Sequence, residues 1–210
     1  MDNEKKSMIK DALILFAITL VAGLLLGVVY DVTKEPIAQQ KAKAKIEASK
    51  NVFASAQNFE AYDAFDADSA QTALSAAGLS GMDIDEVSAA LDESGNVLGY
   101  VITVTDHEGY GGDIQFSMGI TMDGTLNGIS LLSISETAGL GMKAGDVLVP
   151  QFTDKKAEQF TYTKSGAAND SEIDAISGAT ITTKAIVNGV NAGLEYFRSV
   201  LETEGGAANE

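Results

Sequence analysis

The sequence predicts an α+β fold, an antiparallel sheet with packed helices, preceded by a single N-terminal transmembrane helix. Three observations predict it. An uncharged apolar run fills residues 12–30 (ALILFAITLVAGLLLGVVY). Four short β-rich runs lie between residues 87 and 134, separated by turn-forming residues. Apolar residues then recur near a 3.6-residue period after residue 180.

In chain order, residues 1–11 read as a short N-terminal tail. The apolar run lies between Asp11 and Asp31; as a helix rising about 1.5 Å per residue it spans roughly 28 Å, the hydrocarbon thickness of a bilayer. Residues 12–33 are therefore assigned to the crossing. The alternative is a cleaved signal peptide, but the run is long for one and no small-residue cleavage site follows it directly. Gly23 and Gly27 give a G-x-x-x-G spacing that admits close approach of a partner helix. Lysines flank both ends, with Lys5, Lys6 and Lys10 before the run and Lys34, Lys41, Lys43, Lys45 and Lys50 after it, so charge alone does not orient the helix.

Glu35-Pro36 reads as a helix opening, with proline at a first-turn position, and residues 34–57 as a helical stalk. Residues 52–85 are alanine-rich, and Asp63, Asp66, Asp68, Asp83 and Asp85 read as solvated helix ends and loops. Their D-x-D spacings lack the central glycine and the closing glutamate of a calcium loop. A soluble domain is assigned to residues 58–203, with its core starting near Glu86. Strands are expected at 87–91, 97–104, 114–121 and 126–134. Turns are expected at Glu93-Ser94-Gly95-Asn96 and at Asp123-Gly124, the latter a type I′ candidate. A strand at 159–163 and a helix at about 180–202 follow. Ile181, Ala185, Val187 or Gly189, Ala192, Leu194 and Phe197 would turn that helix toward the sheet. Residues 204–210 are assigned to a disordered C-terminal tail.

Composition narrows the function. The chain has 30 acidic and 14 basic residues, a net charge of −16, and a polyanion gains nothing by releasing a nucleic acid's counterions. With no cysteine it has no disulfide, thiolate zinc site, iron–sulfur cluster or thioether-bound haem. A single histidine, His107, argues against a histidine metal cage or a Ser-His-Asp triad and reads as a surface residue. No metal site is expected, and any redox cofactor must be organic.

Three loops carry chemistry. Glu108-Gly109-Tyr110-Gly111-Gly112-Asp113 offers close backbone approach beside one aromatic face. Glu136-Thr137-Ala138-Gly139-Leu140-Gly141-Met142-Lys143-Ala144 contains G-x-G-x-x-A, but Gly145 and Pro150 interrupt it too early for a dinucleotide-binding helix. Asp174-Ala175-Ile176-Ser177-Gly178-Ala179-Thr180 stands at the opening of the last helix, where unpaired N–H groups and the positive dipole end suit a phosphate. Lys184, one turn on, adds charge on that face. The alternative there is an ordinary Ser/Thr helix cap. Ser165-Gly166-Ala167-Ala168, nearly the same tetrapeptide, reads as surface loop.

The last of these segments matches the D-x-x-[ST]-G-A-T flavinylation motif of the FMN-binding domain family. Gly109-Tyr110-Gly111-Gly112 resembles that family's G-Y-x-G turn, and Glu136-Thr137-Ala138-Gly139-Leu140-Gly141 its E-T-P-G-L-G loop, with Ala138 in place of proline. With one membrane helix in front, the chain resembles the G subunits of Rnf ion-translocating electron-transport complexes. These are related to the C subunit of the sodium-translocating NADH:quinone oxidoreductase.

The resemblance implies covalent FMN, joined by a phosphoester to Thr180. Asp174, Ser177, Gly178 and Ala179 would shape the turn. Glu136, Thr137, Gly139, Leu140 and Gly141 would line the flavin, with Tyr110 nearby. It implies a magnesium-dependent flavin transferase for maturation and other membrane and peripheral Rnf subunits as partners. It also implies a cell-membrane location with the soluble domain outside the cytoplasm. The chain would then be an electron-transfer subunit of a ferredoxin:NAD oxidoreductase coupled to Na+ or H+ transport, with no catalytic residue of its own. Two alternatives remain open at this point. One is a free-standing covalent-FMN reductase or extracellular electron-transfer module; the other is a membrane-tethered sensor or binding domain without flavin.

Overall fold

The computed structural model describes residues 2–202, and the chain divides into two compact units between residues 44 and 45. The tail assigned to 204–210 lies outside the described residues. The first unit is formed by helix α1 (Asp2–Val52), whose last turns, from Lys45, belong to the second. Residues 5–32 are exposed throughout, and the most apolar 18-residue stretch has a mean hydropathy of 2.8, so this helix is long and apolar enough to cross a membrane. Residues 2–11, read as a tail, continue the helix. Pro36 does not open a helix; α1 runs through it. Proline there removes one N–H and crowds the carbonyl of Val32, and the strong helix formers that follow, QQKAKAKIEASK, sustain the helix beyond that single lost bond.

The second unit is built on a five-stranded antiparallel meander: β1 (Asn58–Ala61), β2 (Met82–Leu91), β3 (Val97–Asp106), β4 (Ile114–Thr121) and β5 (Leu126–Ser133), each paired to the next. The alanine-rich stretch before residue 86 is more ordered than its composition suggests. It holds β1, helix α2 (Ala67–Ala76) and the first half of β2. Asp66 caps α2, accepting from the Asp68 N–H at 3.2 Å, and Ala70 and Leu74 face the core. Asp83 and Asp85 are strand residues, not loop acids. Asp85 accepts from Thr105 at 2.7 Å and from Gln115 at 2.8 Å, so cross-strand donors keep its carboxylate on the sheet surface.

The Asp123-Gly124 turn joins β4 to β5, but Asp123 does not take the positive φ that type I′ requires; Gly124 alone does, at +82°. The Thr121 N–H donates to Thr125 O at 2.9 Å and the Gly124 N–H to Thr121 O at 2.9 Å, giving a three-residue loop.

Helix α4 (Thr180–Tyr196), prolonged by a π-helical turn (Phe197–Leu201), packs with α2 on one face of the sheet. Its core partners there include Ile102, Val104, Phe116 and Met118. A Cβ at Gly193 would stand 2.1 Å from Met118 Sδ, so this glycine sets how closely the helix seats. On the opposite face Val52 and Phe53 pack with Ala90 and Val101. Short helix α3 (Ala144–Val147) precedes a parallel pair, β6 (Thr161–Thr163) and β7 (Glu172–Asp174). The strand expected at 159–163 starts later because Phe160 is already paired. Asn191 of α4 accepts from its N–H at 2.7 Å and donates to its carbonyl at 2.9 Å.

Candidate functional site

β7 delivers the chain to the opening of α4. Gln151 holds both backbone groups of Asp174, accepting from its N–H at 2.7 Å and donating to its carbonyl at 3.1 Å, as a neighbouring strand would. The Asp174 carboxylate accepts from the Ala167 N–H at 2.7 Å, which brings the look-alike tetrapeptide against the motif. The chain then turns through Gly178, at φ +78°, and the Ala179 N–H closes on Ile176 O at 3.0 Å. The helix cap is Ala179, with no side-chain hydrogen bond. The Ser/Thr-cap alternative therefore does not describe this terminus, and the first N–H groups of α4 open outward with the dipole behind them.

Three threonines follow, and they are used differently. Thr183 is buried, donating to Ala179 O at 2.9 Å and accepting from the Ile176 N–H at 3.1 Å. Thr182 is buried and donates to Glu136 Oε2 at 3.0 Å. Thr180 is half-buried, and no hydrogen bond holds its hydroxyl among the described residues.

Glu136 joins the three loops. Oε1 accepts from the Gly111 N–H at 3.1 Å and Oε2 from Thr182, and the side chain is buried. One glycine of the Tyr110 loop and one of its own loop leave room for it. A Cβ at Gly109 would stand 2.9 Å from Oε1, and one at Gly141 2.7 Å from the Glu136 Cβ. Around this carboxylate lies a cavity of about 460 Å³, within the usual range for small-molecule sites. Tyr110, Glu136, Thr137, Leu140, Gly141, Gly178, Ala179 and Thr180, all singled out from sequence, line it. Of the remaining residues singled out, Asp174 and Ser177 shape the approach to the helix and Gly139 turns the second loop at φ +78°. The Lys184 ammonium lies on Glu108 at 3.3 Å instead of facing the cavity.

The cavity also includes Ile181 and Thr182, which sequence reasoning missed. Ile181 does not face the sheet as its period suggests; it is 49% exposed, because Thr182, Thr183, Ile186, Val187 and Val190 form the buried face. The signal for Thr182 was its hydroxyl two residues past the motif.

The Tyr110 loop is tied down at its base. His107 bridges Asp83 and Asp113, each at 2.9 Å, and these carboxylates, Asp83 first, push its imidazole up to about 9. Asp106 is fully buried; Oδ1 accepts from the Glu108 N–H at 2.7 Å, and Oδ2 has no partner among the described residues. Burial, reinforced by nearby Glu108, pushes its carboxyl up to about 6 against the pull of that N–H, His107 and Lys184. Among the described residues no cluster of His, Asp and Glu is placed to hold a metal ion.

Residues 109–195 match the FMN-binding domain, and residues 1–52 match the RnfG N-terminal region. The chain is 32% identical to the G subunit of the Na(+)-translocating ferredoxin:NAD(+) oxidoreductase complex of Acetobacterium woodii, over 93% of this chain and 94% of that one. It is 30% identical to the G subunit of the proton-translocating ferredoxin:NAD(+) oxidoreductase complex of Clostridium ljungdahlii, over 89% and 93%. It is 29% identical to the G subunit of the ion-translocating oxidoreductase complex of Methanosarcina acetivorans, over 92% and 96%. Among solved structures it is similar to Shewanella oneidensis NqrC, at 21% identity and a TM-score of 0.45, covering 55% of this chain and 58% of that one. The chain belongs to the RnfG family, carrying that family's FMN-binding domain behind its N-terminal region.

Proposed function

We propose that this chain is the membrane-anchored electron-carrying subunit of an Rnf-type ferredoxin:NAD oxidoreductase complex, with FMN joined through a phosphoester to Thr180. The observation that carries the proposal is the contrast among the threonines. Thr182 and Thr183 are buried with their hydroxyls engaged, whereas Thr180 lines the cavity with its hydroxyl unheld.

The surroundings of Thr180 fit the group. The uncapped start of α4 presents N–H groups and a positive dipole end to a phosphate. Tyr110, Leu140 and Ile181 offer an apolar wall for a flat ring. FMN supplies the reversible electron acceptor that the chain's own side chains lack. A covalent bond suits a domain with 23 acidic and 6 basic residues from position 61 onward, since that field repels a free anion.

Threonine is a weak nucleophile, and His107, the only histidine, is held by two carboxylates at the base of another loop. Attachment therefore calls for a separate flavin transferase. Thr180 Oγ forms the bond to the FMN phosphorus, the pyrophosphate bond of FAD breaks, AMP leaves, and the hydroxyl proton passes to a base of the transferase. Residues 12–33 of α1 cross the membrane in this reading, residues 58–203 form the FMN domain outside the cytoplasm, and Gly23 and Gly27 face a helix of another subunit.

The test is purification of the chain from cells containing the transferase, followed by flavin fluorescence on a denaturing gel. The wild type fluoresces and Thr180→Ala does not; fluorescence retained in Thr180→Ala refutes the attachment.

A further inference from the structure

Adjacent threonines of one helix do different things here. The Thr183 hydroxyl takes the local option, the carbonyl four residues back, whereas Thr182 reaches 46 residues away to Glu136. Thr182 is 1% exposed and lines the cavity. Its acceptor is a buried carboxylate with one backbone donor, Gly111 N–H, on its other oxygen, and no ammonium or guanidinium pairs with it among the described residues. A carboxylate so placed depends on each donor it has.

We infer that Thr182 is a positioning residue of the flavin site, acting through Glu136. Its hydroxyl holds Glu136 in the position that bridges the Tyr110 loop to α4 and keeps one negative charge in the cavity wall. This rests on the FMN reading of the cavity. Thr182→Val keeps the side-chain shape and deletes the donor. The Glu136 carboxylate then turns toward solvent, releases the Gly111 N–H, and takes its charge off the wall beside the ring that gains electrons. Thr182→Ser restores the donor.

The experiment uses the full chain in detergent, with and without attached flavin. In the flavin-free chain, Gly111 amide hydrogen exchange is expected to quicken roughly tenfold in Thr182→Val, the scale of one lost hydrogen bond, and to stay at the wild-type rate in Thr182→Ser. In the flavinylated chain, Thr182→Val moves the flavin midpoint potential to a more positive value and Thr182→Ser leaves it in place, while gel fluorescence is retained in both. Thr182→Val with either the Gly111 exchange or the potential at its wild-type value overturns the inference. A wild-type chain that takes no flavin refutes the FMN reading instead. The Gly111 exchange alone then decides whether Thr182 positions Glu136.

Discussion

Asp106→Asn deletes a charge that the fold holds at a disadvantage. Asp106 ends β3, is fully buried, and leaves Oδ2 without a partner among the described residues. Its carboxyl is raised from 3.8 to about 6, chiefly by burial. Because the folded value lies above the unfolded one, this group's contribution to stability is complete below 3.8 and lost as pH rises through about 6. At 1.36 kcal/mol per pH unit, that interval amounts to about 3 kcal/mol against the wild type at neutral pH. Asparagine carries no such penalty, but its amide leaves N–H groups without an acceptor, at ~1–3 kcal/mol regardless of pH. The informative quantity is therefore the change in ΔΔG between two pH values, in which the constant cost cancels. Part of the penalty has set in by pH 4, so the variant should gain about 2.5 kcal/mol on the wild type between about pH 4 and about pH 8. Urea unfolding of the full chain in detergent, followed by the near-ultraviolet circular dichroism of its tyrosines, measures this. A ΔΔG that is the same at both pH values refutes the buried-charge argument.

Two further variants test the bridge beneath the Tyr110 loop and the seating of α4 on the sheet. His107 is raised from 6.5 to about 9, so its stabilisation is complete below 6.5 and disappears as pH rises through about 9. His107→Gln should lower the urea midpoint near pH 6 and leave it unchanged near pH 10; a loss confined to the alkaline side contradicts the two-carboxylate bridge. Gly193→Ala drives a methyl to 2.1 Å from Met118 Sδ and should cost ~1–3 kcal/mol by overpacking. The cost should shrink in the Met118→Ala background, and an equal cost there would show that the helix does not seat on Met118.

Much of the fold was legible because its signals are local. The β4 run at 114–121 was read to its ends, since the alternation of Ile114, Phe116, Met118 and Ile120 with smaller or polar residues and a turn at each side fix it. The apolar helix announces itself by length alone. What escaped depends on partners distant in sequence. Asp83 and Asp85 read as loop acids because their donors, His107, Thr105 and Gln115, come from other strands or the loops beside them. β7 has three residues and pairs in parallel with a strand whose start is set by Asn191, thirty-one residues away from Phe160. Pro36 misled because its local preference is real, but the helix around it is long enough to override one missing bond.

The same distinction separates the parts of the site. Sequence identified three loops as separate segments, and their glycines read as backbone freedom. In the fold, Gly109 and Gly141 matter less for φ than for absence of volume: a Cβ at Gly109 would strike Gly112 O at 2.2 Å and Glu136 Oε1 at 2.9 Å, and one at Gly141 would strike Thr182 Oγ1 at 2.6 Å and the Glu136 Cβ at 2.7 Å. The carboxylate in turn takes one donor from the Tyr110 loop and one from the helix that opens at Thr180. The three loops are therefore one device, and substitution of either glycine displaces Glu136 and loosens contacts in the other loop and in α4 together. A set of independent ligand-lining loops would lose its members one at a time; a set interlocked through one buried side chain loses them jointly.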